Sequence, residues 1–335
     1  MSLRTFALLT FSLLPLAGRG FAQEPFSATN LELAVSLFGI SANRLLFSVS
    51  EFSQGGADLN GDGDSVDRVL HVHDLETGTT TNLEVEQAAG SGRVYGKWLV
   101  FLVDESRPGG ADLNRDGDSE DHVFHVHDLE TGTTTNLEVA IVCDFFVSGN
   151  WLVFPVSERE RGGADLNRDG DSEDSVVHVH DLETGTATNL ELAIAPVGDP
   201  LQCFISALPV SGNWLVFMVS ERGQGGADLN RDGDSEDSVL HVHDLETGTT
   251  TNLELASNRF DWRVYGKWLL FAVRESVQGG VDLNRDGDSE DLVLHLHDLE
   301  TGTTTNLELA TTGRHERVFG KWLVFVVWER TQGGV

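Results

Sequence analysis

Apolar runs of six residues recur along this chain at intervals of roughly one repeat: Trp98 to Val103, Trp151 to Val156, Trp214 to Val219 and Trp268 to Val273. Each is apolar on both faces and rich in aromatic and β-branched residues, the pattern of a strand buried on both sides. The second repeat shows the rest of the unit. Val94-Tyr95 and a Gly96-Lys97 turn precede the run, and a long polar loop follows it. Val123-Phe124-His125-Val126-His127 then reads as another strand, closed by the turn signal Asp128-Leu129-Glu130-Thr131-Gly132. The last segment, Thr133 to Val139, is polar and threonine-rich, as a solvent-facing outer edge should be. No helical period occurs anywhere. Four short strands per repeat predict an all-β chain, a β-propeller of four-stranded antiparallel blades, because no blade can bury both faces alone and neighbours must stack. A calcium-binding β-roll has far shorter repeats and no tryptophan-bearing strand.

Between the second and third strands the chain spells Gly-Gly-(Ala/Val)-Asp-Leu-Asn-(Gly/Arg)-Asp-Gly-Asp-Ser-(Val/Glu)-Asp five times, beginning at Gly55, Gly109, Gly162, Gly225 and Gly279. A sixth copy stops after Gly333-Gly334-Val335. Counted from the first Asp, oxygen-bearing side chains fall at positions 1, 3, 5, 7 and 10, with glycine at 6. These candidate metal ligands are Asp58, Asn60, Asp62, Asp64 and Asp67; Asp112, Asn114, Asp116, Asp118 and Asp121; Asp165, Asn167, Asp169, Asp171 and Asp174; Asp228, Asn230, Asp232, Asp234 and Asp237; Asp282, Asn284, Asp286, Asp288 and Asp291. Alternating hard oxygens around a glycine turn suit Ca²⁺, about one ion per complete loop; Mg²⁺ demands a rigid octahedron and dehydrates reluctantly. An EF-hand would place a bidentate Glu at position 12, where every copy has valine: Val69, Val123, Val176, Val239 and Val293. Position 10 is the expected closing ligand. A further carboxylate ends each second strand, at Glu51, Glu105, Glu158, Glu221, Glu275 and Glu329. It either completes the ion's shell or takes backbone amides of the Gly-Gly turn. A metal-free turn is the plain alternative for any one loop, since Asn and Asp are ordinary turn formers.

Tyr265-Gly266-Lys267-Trp268-Leu269-Leu270-Phe271 and Val242-His243-Asp244-Leu245-Glu246-Thr247-Gly248 resemble WD-repeat and TolB-type propeller blades. The likeness covers residues 28 to 335 and implies a fold, not an activity. The aspartate loop departs from both families and resembles the strand-bounded calcium loops of integrin α-chain propellers. There the last ligand sits at position 9, which is Glu120, Glu173, Glu236 and Glu290 here but Val66 in the first loop. Ala28 to Ala34 repeats the outer-strand text of Ala187 to Ala193, which resembles the ring closure of WD-repeat propellers, one blade shared by both termini. With Arg317 to Glu329 supplying two more strands, the expectation is five complete blades plus an incomplete sixth, in a chain truncated at its C-terminus.

The N-terminus changes the setting. Arg4, an apolar run from Thr5 to Leu16 and Gly20-Phe21-Ala22 read as a signal peptide over 1–22, leaving a propeller domain over 23–335 that is secreted or periplasmic. No later stretch approaches the ~20 apolar residues of a membrane span. The net charge of −32, from 54 acidic and 22 basic residues, argues against nucleic-acid or anionic-membrane partners. With four aspartates in every loop, one divalent ion each would bring the charge to about −22. Cys143 and Cys203 leave a disulfide and two free thiols equally open.

Each third strand carries a pair on one face: His71 and His73, His125 and His127, His178 and His180, His241 and His243, His295 and His297. That is a zinc-chelate spacing, but two imidazoles half-fill a tetrahedral site, so the pairs are read as packing between blades with hydrogen bonds to backbone. The tryptophans Trp98, Trp151, Trp214, Trp268 and Trp322 are read as core. No catalytic residues stand out, because the repeats are near copies. The longer link from Ile194 to Leu208 is the one irregular surface, and a tolerated insertion is its plain reading. The leading functional reading is an exported calcium-binding scaffold with a protein or carbohydrate partner. The alternative is a propeller hydrolase or lyase with its site in the central channel or in missing sequence.

Overall fold

The computed structural model describes residues 7–10, 27–33, 35–41, 43–86, 92–106, 111–140, 145–159, 161–195, 210–256, 262–311, 317–319 and 322–324. Cys143, Cys203 and Glu329 lie outside them. The fold is all-β and of the propeller class, made of blades in which four consecutive strands pair antiparallel in simple order. Blade 1 comprises Val35–Ser41, Arg44–Ser50, Arg68–Asp74 and Thr80–Glu86. Blade 2 comprises Arg93–Tyr95, Trp98–Asp104, His122–Asp128 and Thr133–Ala140. Blade 3 is Phe146–Ser148, Trp151–Ser157, Ser175–Asp181 and Thr186–Ala193. Blade 4 is Val210–Ser211, Trp214–Ser220, Ser238–Asp244 and Thr249–Ala256. Blade 5 is Arg263–Tyr265, Trp268–Arg274, Leu292–Asp298 and Thr303–Ala310. The chain divides into two compact units, Met1–Glu138 and Val139–Val335, the boundary falling in the outer strand of blade 2.

The doubly apolar strands explain the stacking inside each unit. In the first unit Leu46, Leu70 and Val72 of blade 1 pack against Leu99, Phe101 and Val103 of blade 2. In the second, Leu215, Phe217 and Val219 of one strand face Val153, Val177 and Val179 of blade 3. Their neighbours Val216 and Met218 point the other way, onto Leu269, Phe271 and Val273 of blade 5. A period of two thus serves both interfaces. Burying a side chain such as Phe217 contributes roughly 1.5–3 kcal/mol.

Beside the five blades, the described residues form two two-stranded sheets: Ser27–Asn30 pairs with Ala7–Thr10, and Arg317–Phe319 pairs with Trp322–Val324. Leu31 and Leu33 pack on Leu45, Phe47 and Val49 of blade 1. Glu32 adopts φ 57°, close to the equivalent residue of every outer strand.

The tryptophans are not uniformly core. Trp98 is buried, whereas Trp268 is 37% and Trp322 66% exposed. Each opens its strand, and the Lys97 and Lys267 ammoniums cover the Trp98 and Trp268 rings at 4.5 and 4.9 Å.

Candidate metal centre

A buried glutamate holds each loop shut. Glu51, Glu105, Glu158, Glu221 and Glu275 are all fully inaccessible to solvent. One carboxylate oxygen accepts the position-2 amide (Leu59, Leu113, Leu166, Leu229 or Leu283) at 2.5–2.7 Å. The other accepts the amide of the position-10 Asp at 2.9–3.3 Å. The glutamate's own N–H donates to the position-10 carbonyl, so the loop's ends meet as a hairpin. The carboxylate thus takes backbone amides, though not those of the Gly-Gly turn, whose Gly56 N–H donates to the Glu51 backbone carbonyl instead. In blades 1 to 4 the same carboxylate also lies with positions 7 and 10 in a group of oxygens all within 4.8 Å: Glu51, Asp64 and Asp67; Glu105, Asp118 and Asp121; Glu158, Asp171 and Asp174; Glu221, Asp234 and Asp237.

The loop's path follows from short side chains capturing nearby amides. In the first loop Asp58 accepts the N–H groups of Gly61 and Gly63, Asn60 that of Asp62, Asp62 that of Asp64, and Asp64 that of Val66. Position 6 turns at φ 104–110° in all five loops, a conformation essentially restricted to glycine. The position-1 carboxylate therefore faces the loop's own amides, while positions 7 and 10 turn towards the glutamate.

Position 10 is the electrostatic centre. Burial pushes Asp67, Asp174 and Asp237 up to about 7 and Asp121 and Asp291 up to about 6, and neighbouring carboxylates add to the effect. Asp62 is held below the usual range, first by the Asp64 amide. The Asn60, Asn114 and Asn284 carboxamides each donate to the position-5 and position-10 carboxylates of their own loop. At position 9, by contrast, the Glu173 and Glu236 side chains are 79% and 77% exposed and sit by Arg159 and Arg222.

Two anchors were not singled out from the sequence. An outer-strand Asn (Asn82, Asn136, Asn189, Asn252 or Asn306) donates Nδ2 to the position-2 carbonyl and accepts the N–H of the Glu two residues on. That Glu takes φ 54–56°, costly for a residue with a Cβ. Gln224 and Gln278, just after the clasping glutamate, donate to the Glu191 and Glu254 carbonyls of the preceding blade, and Gln54 donates to Glu32 in the same way. The signal was available: Thr-Asn-Leu-Glu recurs in every repeat, and Gln-Gly-Gly in four.

The first histidine of each pair packs on a phenylalanine of its own blade, on the face that Phe101 and Phe217 turn to the neighbouring blade. His71, His125, His178, His241 and His295 lie directly across the strand from Phe47, Phe101, Phe154, Phe217 and Phe271, with ring centroids 5.6–6.0 Å apart. Each donates Nδ1–H to the carbonyl of the valine two residues before it. Of the second histidines, His73, His127, His243 and His297 contact a threonine Oγ1 at 2.8 Å. His180 faces Ala187 instead.

No family model matches the chain, and no curated protein sequence matches it. Solved structures do. TolB from Acinetobacter baumannii is 13% identical with a TM-score of 0.32, over 84% of this chain and 56% of that one. The β-propeller domain of the Trilobed protease from Pyrococcus furiosus is 10% identical with a TM-score of 0.38, over 89% and 78%. The tricorn protease is 15% identical with a TM-score of 0.39, over 87% and 28%. The chain thus spans 56% of TolB and 28% of tricorn. Such likenesses carry no activity across.

Proposed function

We propose that this protein is an exported, calcium-stabilised β-propeller scaffold that binds one ion in each aspartate loop and presents its surface to a protein or carbohydrate partner. The observation that carries the calcium reading is the repeated convergence of the clasping Glu with the position-7 and position-10 Asp in blades 1 to 4. The donor set fits: it is all hard oxygen, carboxylate and carboxamide, as Ca²⁺ takes in its six to eight positions. The ion would supply charge that the loops lack, where the nearest side chains are mostly other acceptors. Its role is structural. Filled loops hold the second and third strands of each blade in register and rigidify one end of the blade for contact.

Calorimetric titration of the purified chain with Ca²⁺ is expected to show uptake of several ions with dissociation constants of ~10⁻⁴ to 10⁻³ M, as in extracellular calcium modules. Chelation is expected to lower the melting temperature, and Mg²⁺ to restore little of it. Absence of both uptake and a melting shift would sink the calcium reading.

A further inference from the structure

Loop 3 departs from its siblings at one point. In loops 1 and 2 the position-3 carboxamide donates to carboxylates of its own loop, and its Oδ1 accepts the position-5 amide. In loop 3 Asn167 Nδ2 reaches out instead, donating to the Gly223 carbonyl of blade 4 at 2.6 Å. The Asp169 amide keeps the bond to Asp165 that loops 4 and 5 also make to position 1. Asn167, only 6% exposed, is left with a buried Oδ1 that has no partner, and Asp169 has a buried Oδ2 in the same state. Gly223 also abuts position 10: a Cβ built on it would lie 2.6 Å from Asp174 Oδ1. Loop 4 is intermediate, with Asn230 Nδ2 divided between its own Asp237 and the Val277 carbonyl, the blade 5 counterpart of Gly223.

The unmet groups here are all acceptors, so a further hydrogen-bond acceptor cannot satisfy them and a cation can. We infer that the divalent cation of loop 3 is shared between two blades, the Gly223 carbonyl of blade 4 joining Asn167, Asp169 and Asp174 of blade 3 as an oxygen ligand. A carbonyl oxygen has two lone pairs, so it keeps its bond from Asn167 while facing the ion. The inference rests on the calcium reading and extends it: occupancy of this site clamps blade 4 onto blade 3, whereas a loop closed on itself stiffens only its own blade.

The test compares bound calcium, by equilibrium dialysis and elemental analysis, in the full chain and three variants, with hydrogen exchange across residues 222–224. Gly223→Ala, a change in blade 4, is expected to weaken one site at least tenfold, so that one ion fewer is held at subsaturating calcium. Asn167→Ala, in blade 3, is expected to do the same and to lower the calcium-dependent protection of 222–224 in blade 4. Arg222→Ala, on an exposed neighbour, is expected to retain every ion. If the parent chain takes up no calcium, the calcium reading fails and this inference with it. If the parent takes up its ions and both Gly223→Ala and Asn167→Ala keep them all with unchanged affinity, the calcium reading stands and the shared ligand is overturned. Should Gly223→Ala misfold, unchanged calcium-dependent protection of 222–224 in Asn167→Ala overturns it alone.

Discussion

Two residues per repeat set the chemistry of each blade, and both work by burial. The clasping glutamate is the stronger. Glu221 accepts from Leu229, Asn230 and Asp237 with no access to water, so Glu221→Ala leaves buried amides unpaired. The expected loss is about 3 kcal/mol or more, read as a shift in the urea midpoint at constant slope. The first histidine of each pair works against stability in acid, opposite in sign to the position-10 aspartates. Burial lowers His241 from 6.5 to about 4, and it lowers His71, His125, His178 and His295. The folded form thus binds protons less readily than the unfolded chain, so the stability these rings contribute is present above pH 6.5 and lost as pH falls towards 4. His241→Phe, which keeps a ring on Phe217, is expected to flatten the fall of melting temperature between pH 7 and 4.5. An unchanged slope would assign acid lability to other groups. One substitution should improve the fold: Ala187→Thr gives His180 the hydroxyl its four counterparts have, for a gain of about 0.5–1.5 kcal/mol in thermal melting.

At the scale of the strand, most of the architecture was legible. The pattern from Trp98 to Val103 predicts a strand buried on both sides, and the observed strand is Trp98–Asp104, buried along all but its last residue. The Asp128 to Gly132 turn forms as written, with Asp128 accepting the Glu130 and Thr131 amides. Periodicity reports what a strand buries, so these elements declare themselves in one repeat. What it does not report is where a polar side chain sends its second hydrogen bond. The clasping glutamates could be found but not assigned, because Glu51 and Leu59 are eight residues apart and meet only when the loop closes. The histidines show the same limit: spacing put each pair on one face, but the facing Phe comes from the neighbouring strand. The outer-strand asparagines went unread because threonine-rich edge text looks merely solvated. Asn252→Ala is therefore the informative change, since it frees the Leu229 carbonyl and the Glu254 amide together. A loss of about 1–3 kcal/mol is expected.

At the scale of the whole chain, the net charge of −32 opposes compaction. Metal-free protein is expected to melt higher in 0.5 M than in 0.02 M NaCl, because salt screens the loops, and this dependence should shrink once Ca²⁺ is present. Each site held at ten times its dissociation constant adds about 1.4 kcal/mol to the folded state. The left-handed glutamates of the outer strands carry a different consequence. Each blade ends in an outer strand, and unpaired N–H and C=O groups along a sheet edge template pairing with another molecule. Glu84, Glu138, Glu191, Glu254 and Glu308 break that edge with a backward kink, and four of them also hold an arginine across it. The ion pairs are exposed and add little stability. Replacing the kinked residue with one that favours extended backbone would straighten the margin of the blade, and the cost would appear as intermolecular sheet growth during storage at high concentration.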